Sequence, residues 1–333
     1  MTLLTNMAPL VWRQPAVSSA AAFREDEFVS LWCDMDAMLL RINFWKREDV
    51  IFPQEDTGRH AQLDTQRLLN ERGMSPEAVS LLDRLPYPRI ASYRRMRIYR
   101  EADAMNYLEE DDVKDCRDPH EMAQFSAQPG GMNDASYLLP QDVALARPDE
   151  SDGLAWILDL SYNAFRFVYG PLEAPARGVP GGPPHDYPVE RPDDPDHYRN
   201  WPMYHAPTVL RTWIQDVVDL ELVPVSSQGE YWSTSSEILG QVIGKALRHY
   251  GWPAEFREQD WARDSEQIYR AAGEVEERYE EEFDSHKFGR DRKELLSQWK
   301  RIQTLSQMLV WICRRSMVEF FQGAYDLSMC RFQ

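Results

Sequence analysis

Phe28, Leu31, Trp32, Met35, Leu39 and Ile42 recur at intervals of three and four. That spacing sets all six on one face of a 3.6-residue period. It predicts an amphipathic helix over residues 25–45, with Asp34, Asp36 and Arg41 lying off the stripe. Two shorter helices follow. The stretch "LDTQRLLNERG" closes at Gly73, a residue suited to the left-handed turn that ends helices. The stretch "SPEAVSLLDRL" opens with Ser75 as N-cap and Pro76 at the first helical position, and Pro86 and Pro88 end it. Residues 101–135 are polar and acidic and read as loop with short helix.

The pattern changes between residues 137 and 170. "YLLPQDVALA" precedes two apolar runs, Leu154–Leu160 and Ala164–Tyr169, separated by Ser161–Asn163. Short β-rich runs around a turn predict a hairpin over 154–169, with Asn163 suited to a positive φ. Trp156, Leu158, Phe165 and Phe167 are expected to share its packed face. Residues 171–203 then become dense in proline. Each proline fixes φ and removes a donor, so this stretch is expected to be a long irregular connection. Beyond it the helical period returns. "APTVLRTWIQDVVDLELV" places Leu210, Trp213, Val217 and Leu220 at helix spacing, with Thr208 as N-cap. "STSSEILGQVIGKALRHYG", "DSEQIYRAAGEVEERYEEEF" and "DRKELLSQWKRIQTLSQMLVWICRRSMVEFFQGAY" extend the helical pattern to the C-terminus. The predicted fold is α+β and mainly helical, with a small antiparallel sheet around residues 90–170. Residues 1–24 form a flexible tail, 25–170 the α+β part, 171–203 the Pro-rich connection, and 204–333 a helical part packed on the same core.

Composition narrows the classes. The 333 residues are 43% hydrophobic, enough for a sizeable core. The chain carries 55 acidic against 37 basic residues, a net charge of −18. That balance repels phosphate backbones and anionic lipid surfaces, so neither nucleic acid nor membrane is an expected partner. Cys33, Cys116, Cys313 and Cys330 are widely spaced, with no C-x-x-C pair. Reduced thiols in a cytoplasmic protein are the simplest reading. The N-terminal stretch has no acidic residue before Glu25 and weakly resembles a mitochondrial transit peptide, which is the alternative.

Two features compete as sites. His185, His197 and His205, with Asp186 beside the first, fall within "HDYPVERPDDPDHYRNWPMYH". Their spacings of twelve and eight are unlike the close ligand pairs of metal sites, so no metal or other cofactor is expected. The second feature is the one basic island in an acidic chain. Arg89, Arg94, Arg95, Arg97 and Arg100 fall within twelve residues, interleaved with Tyr93 and Tyr99. Arg94, Arg95 and Arg97, together with Trp201, Tyr204, Arg211 and Trp213, are the expected contact residues for a protein partner. Nucleotide and nucleophile motifs are missing. "GQVIGKA" lacks both the spacing and the Ser or Thr of a phosphate-binding loop, and no G-x-S-x-G elbow occurs.

"LLP" at 138–140 and "DESDGLAWILDLSYNAFRFVYG" at 149–170 resemble the central strands of the SUKH superfamily. "LLDRLPYP", "YHAPTVLRTWI" and "HYGWPAEFRE" are similar to uncharacterised protein families expanded in filamentous fungi. The SUKH resemblance implies an interaction scaffold with a mixed sheet and flanking helices, and no catalytic residues. The long Pro-rich insertion and the helical C-terminal third depart from it. The expected function is therefore a non-catalytic interaction or regulatory protein. The alternative is an enzyme acting on a small molecule, metal-assisted, with His185, Asp186, His197 and His205 at its site and the Pro-rich segment as a lid. Regulation within a fungal self-recognition or toxin-immunity system is a third reading, carried by fold-level analogy.

Overall fold

The computed structural model describes residues 22–89, 97–99, 102–119, 137–148, 154–168, 190, 197–225, 230–233 and 238–286. The expectations for residues 1–21, for Arg94 and Arg95, for His185 and Asp186, and for the helix after residue 290 lie outside them. The chain forms two compact units, divided between Trp232 and Ser233. As expected, the fold mixes helices with small antiparallel sheets.

In the first unit, α1 runs Glu25–Arg41 with three acidic residues in its first turn, where the helix dipole favours negative charge. Its whole apolar stripe is buried. Strand β1 (Val50–Ile51) precedes two short helices, α2 (Thr65–Asn70) and α3 (Pro76–Leu82). Ser75 caps α3 through its side chain, which accepts from the Ala78 amide at 3.2 Å. Strand β2 (Tyr87–Pro88) pairs with β1. Strands β3 (Arg97–Tyr99) and β4 (Ala102–Ala104) and helix α4 (Glu110–Asp115) come next.

The hairpin forms where it is predicted. Strands β5 (Asp142–Pro148), β6 (Ala155–Asp159) and β7 (Ala164–Val168) are joined by β8 (Met203–His205) and preceded by the β3–β4 pair. They make one six-stranded antiparallel meander in the order β3-β4-β5-β6-β7-β8. Asn163, at φ 51°, takes the left-handed conformation in the β6–β7 turn.

Register sorts the side chains onto two faces. Trp156 pairs with Phe167 and Leu158 with Phe165. Phe165 pairs with Tyr204. These aromatics form one apolar face, and Phe28 of α1 meets Phe165 at 5.9 Å. Helix α5 (Ala206–Asp219) packs against α1 and against β7 and β8. The opposite face carries Asp142, Asp159 and Arg166, because Asp142 lies across from Asp159 and Ile157 across from Arg166.

Helices α1 and α5 stop short of their predicted ends, α1 at Arg41 rather than residue 45 and α5 before residue 223. α5 starts at Ala206, with His205 rather than Thr208 in the cap position. It stops at Leu220, whose φ of 61° is left-handed. The remaining apolar residues become strand β9 (Leu222–Val225), paired with β10 (Glu230–Ser233). A four-residue apolar run fits a buried strand as well as a helix turn, and the backbone reversal at Leu220 decides between them.

The second unit contains α6 (Ile238–His249) and α7 (Glu258–His286). Ile243, Leu247, Tyr250, Trp261 and Tyr269 are buried there. The turn between the helices requires Gly251. Its φ is 88°, and a β-carbon there would stand 2.3 Å from the Glu255 carbonyl oxygen. Among the described residues no helix is long and apolar enough to cross a membrane.

A buried charge clasp as the candidate functional site

The charged face of the sheet is covered by the end of the Pro-rich connection. Residues 198–200 form a single 3₁₀ turn, which lays Tyr198 and Arg199 over β5 and β6. Asp142, Asp159, Arg166 and Tyr198 are fully buried, and Arg199 is 4% exposed. Isolated charges at such depth would be prohibitive, so each must be neutralised or paired.

The pairing is dense. Arg199 donates from Nη1 to Asp159 at 2.6 Å and to Asp142 at 3.0 Å. Its Nε and Nη2 donate to Glu190 at 2.9 and 2.6 Å. Arg166 donates from Nε and Nη2 to Asp159 at 3.3 and 3.1 Å, and from Nη2 to Glu190 at 2.8 Å. Its Nη1 donates to the carbonyls of Arg199 and Trp201 at 2.6 and 3.0 Å. Glu190 thus bridges both guanidinium groups from the Pro-rich side. Asp159 also accepts from the amides of Ser161 and Tyr162, which ties the hairpin turn to the same cluster.

Asp142 is held differently. The Tyr198 hydroxyl donates to its Oδ2 at 2.6 Å and accepts from the Leu139 amide at 2.8 Å. The buried Arg117 donates to the carbonyls of Leu138, Leu139 and Asp142, fixing the entry to β5. The cluster sets three carboxylates (Asp142, Asp159 and Glu190) against two guanidinium groups. Asp142 is the carboxylate on which the excess falls. Burial first, and the neighbouring Asp159 charge second, push its pKa from 3.8 up to about 6, against the pull of Arg199, Tyr198 and Arg166.

The sign of the pH effect follows. A carboxyl whose folded pKa is raised favours the fold most when protonated, and that advantage is lost as pH climbs from about 4 to 6. Asp142→Asn keeps the shape and removes the titration. Relative to the wild type, the variant is expected to gain stability as pH rises from 4 to 7. Urea unfolding at three pH values checks this, and a pH-independent difference between the two proteins would overturn it.

The two described histidines of the 185–205 segment, His197 and His205, have separate partners. His197 is buried, and its Nδ1 accepts from the Arg199 amide at 3.2 Å while its ring meets Tyr137 at 5.2 Å. His205 ends β8, with Nδ1 2.8 Å from the Thr208 hydroxyl. Burial pulls its pKa below 6.5, helped by Arg211 and opposed by Glu27. Among the described residues no group of three His, Cys, Asp or Glu side chains stands where it would hold a metal ion.

The expected contact residues that are described, Arg97, Trp201, Tyr204, Arg211 and Trp213, do not form one exposed surface. Trp213 and Tyr204 are core side chains, at 0% and 4% exposure. Arg211 pairs with Glu27 of α1. Trp201 is half-buried, and its carbonyl serves Arg166. The backbone of Arg97 begins β3.

Tyr198 is one of the aromatics expected from the sequence to pin the end of the Pro-rich segment to the core. The charged residues of the clasp carry no such expectation, although a signal exists for three of them. Asp142, Asp159 and Arg166 each break an apolar strand at an inward position, in "QDVALA", "WILDL" and "AFRFV". A charge inside an apolar run implies a buried partner. No family model matches this chain, and no curated protein or solved structure matches it either.

Proposed function

We propose that this is a non-catalytic, cytoplasmic interaction or regulatory protein that takes an acidic, extended segment of a partner protein beside β3. The observation that carries the reading is the position of β3. Among the described residues it pairs only with β4, at one edge of the six-stranded sheet. An edge strand offers main-chain donors and acceptors to an added strand. In the sequence β3 falls inside the basic island Arg89–Arg100, in a chain of net charge −18. Arg89, at its start, is already anchored through Nε to the Glu48 carbonyl at 2.9 Å. The resemblance of the central strands to SUKH interaction domains points the same way.

The clasp favours this reading over an enzyme. Every nitrogen of Arg166 and Arg199 already has a partner inside the protein. Such a cluster fixes a loop and leaves no donor turned toward a substrate.

Selection of random displayed peptides tests the proposal. The wild type is expected to enrich acidic sequences, and the triple charge reversal of Arg94, Arg95 and Arg97 to Glu is expected to lose that enrichment while keeping its melting temperature. Absence of acidic enrichment, or enrichment undiminished by the reversal, would sink the idea.

A further inference from the structure

Away from the clasp, α1 closes over a small chamber beneath the β1–β2 ribbon, with Ile98 of β3 and Ala104 of β4 in its lining. Trp32 and Asp36 of α1, Trp45, Tyr87, Ile98 and Tyr107 are among its walls, and its volume is about 20 Å³. A water molecule needs roughly 10–15 Å³ of such space, so one water-sized occupant fits.

Asp36 is the only ionisable carboxyl in that lining. It is 2% exposed. Among the described residues no hydrogen bond or ion pair reaches its oxygens. The wall hydroxyls are committed elsewhere. Tyr87 donates to the Leu82 carbonyl at 2.5 Å and Tyr107 to the Ala144 carbonyl at 2.7 Å. Burial accordingly pushes the Asp36 pKa well above the ordinary carboxylate range. A carboxyl kept in an apolar chamber must hold either a proton or a counter-cation.

The walls favour the cation. Four aromatic side chains, Trp32, Trp45, Tyr87 and Tyr107, line the space around one carboxyl. Aromatic rings attract cations, most strongly where water is excluded, and an adjacent carboxylate supplies the compensating charge. The small volume selects a compact head and rejects a quaternary one. We propose that this chamber binds an ammonium-type cation, either free ammonium or the terminal –NH₃⁺ of a small amine, between the Asp36 carboxylate and the surrounding aromatic rings.

Melting temperatures at constant ionic strength test this with ammonium, methylammonium, tetramethylammonium and lithium chlorides as probes. At about ten times the dissociation constant, a binding cation is expected to raise the melting temperature by roughly 2–4 °C. The rise is expected with ammonium or methylammonium and not with lithium or tetramethylammonium. A rise with both points to the shared –NH₃⁺ chemistry, and a rise with methylammonium alone makes an organic amine the source. Asp36→Asn is expected to abolish the rise. Should that variant fail to fold, the cation series on the wild type decides alone. Equal response to all four salts, no response to any, or an ammonium effect that survives Asp36→Asn overturns the proposal and leaves Asp36 holding a proton.

Discussion

Asp159→Asn is expected to destabilise the first unit by about 3–5 kcal/mol, the range seen when one partner of a buried ion pair is removed. Against a typical total of roughly 5–15 kcal/mol, that is a large share of the fold. The reason is the number of groups that converge on one carboxylate. Arg166, Arg199 and the amides of Ser161 and Tyr162 all donate to Asp159. An amide in its place supplies one acceptor where two oxygens served, and turns a donor toward guanidinium groups. Arg166 and Arg199 would then rest on Glu190 and Asp142, neither of which reaches the hairpin turn. Asp142→Asn should cost much less at neutral pH, since its charge is the surplus one. Urea midpoints followed by circular dichroism separate the two variants. A fall of less than about 1 kcal/mol for Asp159→Asn would mean the clasp contributes little. A double-mutant cycle with Arg199→Met should show strong coupling, because the two share one network.

The second large effect lies on the other face of the same strands. Trp156→Ala is expected to cost about 3–5 kcal/mol, as for large aromatic deletions in cores. Trp156 is fully buried and meets Phe167 edge-on at 5.0 Å and Phe165 at 5.4 Å. Phe165 in turn meets Phe28, so the cavity would open between sheet and α1. Trp156→Phe should recover most of the loss, since one ring still fills most of the space. Trp201→Ala, at a half-buried position, is the control and should shift the midpoint far less. Equal losses at Trp156 and Trp201 would show that the aromatic face is not the main core.

What could be read from the sequence was what local period and punctuation determine. The α1 stripe, the Ser75 cap and the hairpin turn at Asn163 each rest on neighbours within a few residues. The short strands β3 and β4 rest on partners farther along the chain, and nothing in "RIYREADA" alternates cleanly. The change from α5 to β9 depends on a left-handed leucine, which no residue preference announces. The Pro-rich segment is marked in the sequence by its histidines, but its contacts to the charged face of the sheet come from Glu190, Tyr198 and Arg199. Their partners Asp142, Asp159 and Arg166 are 24 to 57 residues away, and only the sheet register brings them together.

That separation has a consequence for the chain as it leaves the ribosome. The meander is built of consecutive strands, so β3 to β7 can pair as they emerge. Asp159 and Arg166 can pair with each other within the hairpin, but Asp142 gains its side-chain partners only when Tyr198 and Arg199 have followed. A nascent chain paused near residue 170 would therefore hold a sheet whose Asp142 is unpaired and whose apolar face still lacks Tyr204 and α5, a ready target for a chaperone that reads unsatisfied surfaces. A truncated gene ending there should yield an insoluble product, whereas one extending through β9 keeps the clasp, β8 and α5 together.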